Sequence, residues 1–144
     1  MDIRQQIQIV NSAICRVTEL YGIWAKKNGM SYNTMMTLYA LNQNKVYTQK
    51  QISDEWLIPK QTVNTVVKDL EKQGFIRFEH SNNDKKQKII ILTEKGKSFA
   101  DEKLKSLYKM EENAMMAMGE DKRKMLIDGN LAFLEFFENE VFYE

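Results

Sequence analysis

Six side chains within nine residues carry a consistent chemistry. Lys60, Gln61, Thr62, Asn64, Thr65 and Lys68 fall between the apolar positions Val63, Val66, Val67 and Leu70. Apolar residues at i, i+3, i+4 and i+7 mark the inner face of a helix. The polar set therefore shares its outer face. Amide side chains such as Gln61 and Asn64 can pair bidentately with adenine. A threonine methyl can meet a thymine methyl, and lysine suits guanine or phosphate. No acidic residue interrupts the face before Asp69. Farther along, Arg77, Lys85, Lys86 and Lys88 cluster in a stretch of different periodicity. Thr48, at the head of the preceding helix, joins them as a candidate contact. Together they describe a surface for reading a polyanion with base-edge information.

The elements that must hold these residues follow from the pattern. Apolar residues Ile3, Ile7, Val10, Ile14, Val17, Tyr21 and Trp24 step by four and three, which predicts a helix over residues 3–25 that packs along another helix. Asn28-Gly29 ends it. Ser31 caps a second helix, and Asn42 to Asn44 close it. Residues 45–47 read as a short extended stretch. Thr48 caps a short third helix, and the fourth is expected over 59–73 with Pro59 in its first turn, where a missing N–H has no partner to lose. Gly74 suits the position after its end. Residues 75–79 and 87–92 are β-formers separated by a polar, basic tip, which predicts a hairpin. Thr93 caps a helix from Glu94 to about Met118, Gly119 breaks it, and a last helix covers about 120–142. A short helix, a tight turn and a second helix with an apolar inner face form a helix-turn-helix.

Composition bounds the alternatives. The 144-residue chain is 43% hydrophobic and 28% charged, an ordinary balance for a soluble domain. The net charge of +1 hides an asymmetry: residues 45–97 hold eleven Lys/Arg and seven Asp/Glu, a net +4, whereas residues 119–144 are net −4. A basic middle beside an acidic end suits a chain that offers only its middle to a polyanion. One cysteine, Cys15, and one histidine, His80, exclude an internal disulfide and leave too few ligands for a usual structural zinc site. The residues also supply no glycine-rich phosphate loop and no nucleophile–histidine pair, so neither an enzyme nor a cofactor is expected. No signal peptide or membrane span is legible, and a cytoplasmic location with no membrane partner is expected.

The stretch from Thr48-Gln49-Lys50-Gln51-Ile52 through Leu70-Glu71-Lys72-Gln73-Gly74-Phe75-Ile76, with Asp84-Lys85-Lys86 and Leu92-Thr93-Glu94-Lys95-Gly96, resembles the MarR transcriptional regulators. That family's pattern is Leu-Glu-x-x-Gly followed by two hydrophobic residues, a wing with Asp-Arg-Arg, then Leu-Thr-x-x-Gly. The resemblance implies a mainly α winged helix-turn-helix with a small hairpin wing and long terminal helices that form a dimerisation region. It divides the chain into an N-terminal dimerisation helix (1–30), a DNA-binding lobe (31–97) and C-terminal dimerisation helices (98–144). It implies a homodimeric repressor of a near-palindromic duplex operator, modulated by a small-molecule effector. The family's wing arginines are replaced by Lys85 and Lys86, which keep the charge but lose the planar fork.

Residues outside the reading surface carry further expectations. The run Leu131-Ala132-Phe133-Leu134-Glu135-Phe136-Phe137 is apolar on more than one face, and such a helix needs a partner or a large core. Tyr21, Trp24, Tyr32, Met35, Met36 and Tyr39 are candidates to line an effector cleft; the alternative is that they are core and interface residues. Cys15 lies beside the apolar stripe and reads as inert packing rather than a redox sensor. The competing reading for the whole chain is a winged-helix protein-interaction module without DNA binding.

Overall fold

The computed structural model describes residues 1–82 and 86–143. Helix α1 spans Ile3–Lys27, and Asp2 opens it with a capping box: the Gln5 N–H donates to Asp2 Oδ1 (2.8 Å) and the Asp2 N–H to Gln5 Oε1 (3.1 Å). Asn28 closes it and Gly29 turns at φ 72°. Helix α2, Tyr32–Leu41, starts at Ser31, whose hydroxyl accepts the Thr34 N–H at 3.1 Å. Helix α3, Gln49–Trp56, begins with a second capping box between Thr48 and Gln51. Local sequence chemistry thus starts three helices where it was expected to.

The α3–α4 turn is tight. Leu57 adopts a left-handed conformation, φ 51° and ψ 43°, and its N–H donates to the Ser53 carbonyl. The Ser53 hydroxyl, itself buried, donates to the Ile58 carbonyl at 2.6 Å. Helix α4 is Lys60–Lys72. Pro59 lies one position before it: its φ of −54° suits a helix, but its ψ of 136° is extended, which makes Pro59 the flanking cap and not a residue of the first turn.

Strands β1, Ile76–His80, and β2, Lys88–Leu92, pair antiparallel with Ile76 opposite Leu92 and His80 opposite Lys88. A second contact reaches β2 from the other side: Tyr47 bridges Ile90, whose N–H donates to the Tyr47 carbonyl at 2.8 Å. The extended stretch before α3 is therefore a rudimentary third strand. Helix α5 spans Glu94–Met118 and α6 spans Glu120–Tyr143, divided by Gly119 at φ 79°.

The chain divides into two units, Met1–Leu104 and Lys105–Glu144. In the first, Met35, Leu38, Ile52, Ile58, Val63, Val67 and Leu104 are fully buried. These side chains come from α2, α3, the turn, α4 and α5, so one core fixes the helix-turn-helix. Helix α1 buries only Trp24 and Ala25 near its end, while Val10, Ile14 and Val17 on its stripe stay exposed. In the second unit α6 buries no residue, and Leu126, Ile127, Leu131, Leu134 and Phe137 are exposed.

Candidate nucleic-acid interface

The fold divides α4 as its periodicity requires. Val63, Val66, Val67 and Leu70 are buried; Lys60, Gln61, Thr65 and Lys68 are exposed, and Thr62 and Asn64 are half-buried. The outer face thus carries two ammonium groups, two amides and two hydroxyls. The Thr65 hydroxyl donates to the Gln61 carbonyl at 3.0 Å, so toward a ligand it acts as an acceptor or through its methyl.

Both ends of α4 are held. The Ser53 turn fixes the first. At the second, the start of α5 docks on the carbonyls beyond α4: the Thr93 hydroxyl donates to Gly74 O (2.6 Å), the Thr93 N–H to Phe75 O (3.0 Å) and the Lys95 ammonium to Gln73 O (2.8 Å). The Phe75 and Phe99 rings stack with centroids 4.1 Å apart. A helix fixed at both ends presents its side chains in one geometry, which base-edge recognition demands.

Other expected contacts are placed differently. Thr48 is 6% exposed and its hydroxyl accepts the Gln51 N–H, so it builds α3 instead of facing outward. Arg77 donates from Nη2 to Glu79 Oε1 at 2.7 Å, a partly neutralised pair on the exposed hairpin. Strand alternation puts Arg77 and Glu79 on one face and Phe78, His80 and Lys88 on the other. The Lys88 ammonium stands 6.0 Å from the Phe78 ring centre. Arg77 and Lys88 therefore leave the hairpin from opposite faces. Lys86 is exposed, and Lys85 lies outside the described residues.

One cation of the basic middle is held in a surface ion pair. Lys45 Nζ donates to Glu55 Oε1 at 2.6 Å and stands 4.9 Å from the Tyr47 ring centre. The hydrogen bond raises the Lys45 ammonium above its ordinary value and lowers the Glu55 carboxyl below its own. This pair ties the segment before α3 to the last turn of α3.

The six candidate effector residues differ in burial. Met35 is fully buried and Met36 and Trp24 are buried, so they fill the core. Tyr39 packs edge-on against Trp56 with centroids 5.8 Å apart, and Tyr21 and Tyr32 are half-buried. A cleft of about 350 Å³ opens between Asn28, Met30, Thr34, Leu38, Val66, Asp69, Leu70, Gln73, Phe99 and Lys103, and contains none of the six. Sequence reasoning missed it because its lining comes from four separate segments that meet only in the folded chain. A second cleft of about 440 Å³ separates the head of α3 at Thr48 and Gln51 from Glu79, His80 and Gln87 of the hairpin. Cys15 is exposed in the chain and does not fill the core as its neighbourhood suggested. Among the described residues no three His, Cys, Asp or Glu side chains gather to hold a metal ion, and no helix is long and apolar enough to cross a membrane.

Comparison with known proteins agrees with this architecture. The sequence profile of the MarR family matches residues 28–87, from the end of α1 into the hairpin. The transcriptional regulator SarZ of Staphylococcus haemolyticus is 25% identical over 80 residues, 56% of this chain. That match spans about half of SarZ, 54% of its length. The crystal structure of FabT from Streptococcus pneumoniae, in complex with DNA, superposes with a TM-score of 0.64 at 22% identity, over 96% of this chain and 99% of that one. The structure of a MarR family regulator from Neisseria meningitidis superposes with a TM-score of 0.73 at 30% identity, over 98% of this chain and 97% of that one. An identity of 30% sustained over both chains, with the winged helix-turn-helix in the same place, makes this chain a member of the MarR family of transcriptional regulators.

Proposed function

We propose that the protein is a homodimeric repressor that binds a near-palindromic duplex operator through α4 and the hairpin, and that a small ligand modulates this binding. The observation that carries the reading is the outer face of α4. Lys60, Gln61, Thr65 and Lys68 are exposed on a helix whose other face is locked in the core. Such a helix suits the major groove, with Lys60 and Lys68 on phosphate or guanine and Gln61 and Asn64 on adenine. Lys86 and Lys88 of the hairpin supply charge for the flanking backbone, as does Lys85 by its sequence position. The family's structural relative in complex with DNA supports the same assignment.

Dimerisation is supported by the apolar side chains left uncovered on α1 and α6, far more than an isolated soluble chain commonly exposes. A two-fold pair would carry two copies of α4 to successive major grooves. The cleft of about 350 Å³ touches Val66, Asp69 and Leu70 of α4 and its cap Gln73, so an occupant there would bear directly on the recognition helix. Repression is the outcome that the family supports, and the site of action would be the cytoplasm.

Selection of bound sequences from random duplex DNA tests the reading. A two-fold symmetric consensus is expected, with affinity that falls steeply as salt rises. In a dimer, Lys60→Ala should reduce the salt slope by about 1.8, two copies at roughly 0.9 each. Absence of any enriched duplex, from a monomeric protein, would instead favour a protein-interaction module.

A further inference from the structure

Leu57 stands out in the free chain on two counts. It is the sole non-glycine residue at positive φ among the described residues; the other such positions are Gly29, Gly74 and Gly119. Left-handed backbone sets Cβ against the following carbonyl, and glycine avoids this. Its side chain is also 89% exposed, more than any other large apolar side chain among the described residues.

The turn does not need the leucine side chain. Its geometry is imposed by Ser53, whose carbonyl accepts the N–H groups of both Leu57 and Ile58 and whose hydroxyl donates to the Ile58 carbonyl. Glycine at 57 would keep these bonds and relieve the left-handed strain. Strained residues that hold nothing within their own chain concentrate where a protein meets a ligand.

We propose that Leu57 is a recognition residue, whose side chain packs on the deoxyribose and thymine-methyl surface of bound duplex DNA. The inference rests on the DNA-binding reading above. Leu57 lies three residues before Lys60, and in helix-turn-helix docking the N-terminal end of the second helix meets the base edges. Its surroundings favour DNA over protein. Ile58 is buried, and the next exposed positions are Pro59, Lys60 and Gln61. A lone apolar side chain beside a cation and an amide suits a polyanion with methyl groups in its groove. A protein-docking patch would be contiguous and apolar.

The test uses the full chain and the operator selected by the wild type. Leu57→Gly and Leu57→Asn, two residues that tolerate left-handed backbone, should both raise the thermal midpoint. Both should weaken operator binding, by about tenfold, with the loss greatest at operators containing thymine at the contacted step. The salt slope should not change, because an apolar contact releases no counterion. Leu57→Met should retain wild-type affinity. A contact residue thus moves stability and affinity in opposite directions, which a purely structural residue does not. Wild-type affinity and preference in Leu57→Gly would overturn the proposal, as would a fall in affinity accompanied by a lower midpoint. Loss of dimer mass in Leu57→Gly would overturn it in favour of a protein contact. A wild type that binds no duplex would overturn the DNA-binding reading and this inference together.

Discussion

Gly96→Ala should destabilise the protein although alanine is the better helix former. Gly96 is the third residue of α5, and a Cβ built there would sit 1.7 Å from Phe75 O, 2.6 Å from Phe75 C and 2.9 Å from Phe75 Cα. All three are backbone atoms, so no rotamer change relieves the contact. Separating α5 from Phe75 by roughly 1.5 Å restores ordinary van der Waals spacing. That shift breaks the Thr93 N–H bond to Phe75 O and the Thr93 hydroxyl bond to Gly74 O, now 3.0 and 2.6 Å. Two such bonds contribute about 2 kcal/mol together. Disrupting the Phe75–Phe99 stack adds about 1 kcal/mol. Residual overpacking strain adds about 1 kcal/mol. The helix propensity of alanine offsets about 1 kcal/mol. The net loss is about 3 kcal/mol, roughly 10 °C in midpoint for a chain of this size. Circular dichroism melts of wild type and Gly96→Ala measure it directly. Gly129→Ala, where a Cβ meets nothing within 4 Å, is the control and should be neutral or stabilising. A Gly96→Ala midpoint at or above that of the wild type would refute the reasoning.

Three further outcomes are expected. Ser53→Ala removes the buried hydroxyl bond to Ile58 O and should lower the unfolding free energy in urea by about 1.5 kcal/mol; no change would mean that the backbone alone holds the turn. The Asp101 carboxyl is held below its ordinary value of 3.8, chiefly by the Asn42 amide and then by Lys97, so its contribution is complete above that value and lost as pH falls through the lowered one. Asp101→Asn should lower the urea midpoint modestly at neutral pH and converge with the wild type in acid, which flattens the acid limb, and an unaltered acid limb would count against the pair. Leu131→Lys with Leu134→Lys should reduce the mass by light scattering from twice 17.0 kDa to 17.0 kDa, whereas a persistent dimer would place the interface elsewhere.

What the sequence disclosed was mostly local. The caps at Ser31 and Thr48, the reversals at Gly29, Gly74 and Gly119, and the inner face of α4 each depend on residues within a turn or two. What it concealed depends on distant partners. Nothing near Tyr47 announces a bridge to Ile90, which forms only when residues 43 positions apart meet. Leucine carries no signal for left-handed backbone, so the conformation of Leu57 could not be read. Polar character marked Thr48 and Arg77 as contacts without disclosing that Thr48 caps α3 or that Arg77 pairs with Glu79. Apolar periodicity likewise does not separate core from cleft, and Met35 proved to be core. The exposed face of α4 was legible because four buried positions fix where the others must point.

The bridge at Ile90 also bears on self-association. Strand β2 contains Ile89-Ile90-Ile91-Leu92, an uncharged run with three β-branched residues, of the kind that nucleates cross-β stacking. Ile90 is paired on both sides, with Phe78 of β1 and with Tyr47, which makes β2 the inner strand. Among the described residues no strand covers the far side of β1, and β1 is the strand that carries Arg77 and Glu79. A second chain that approached the hairpin to extend the sheet would meet those charges first. The segment most apt to recruit a neighbour is thus enclosed, and the edge left open is charged against fibril growth.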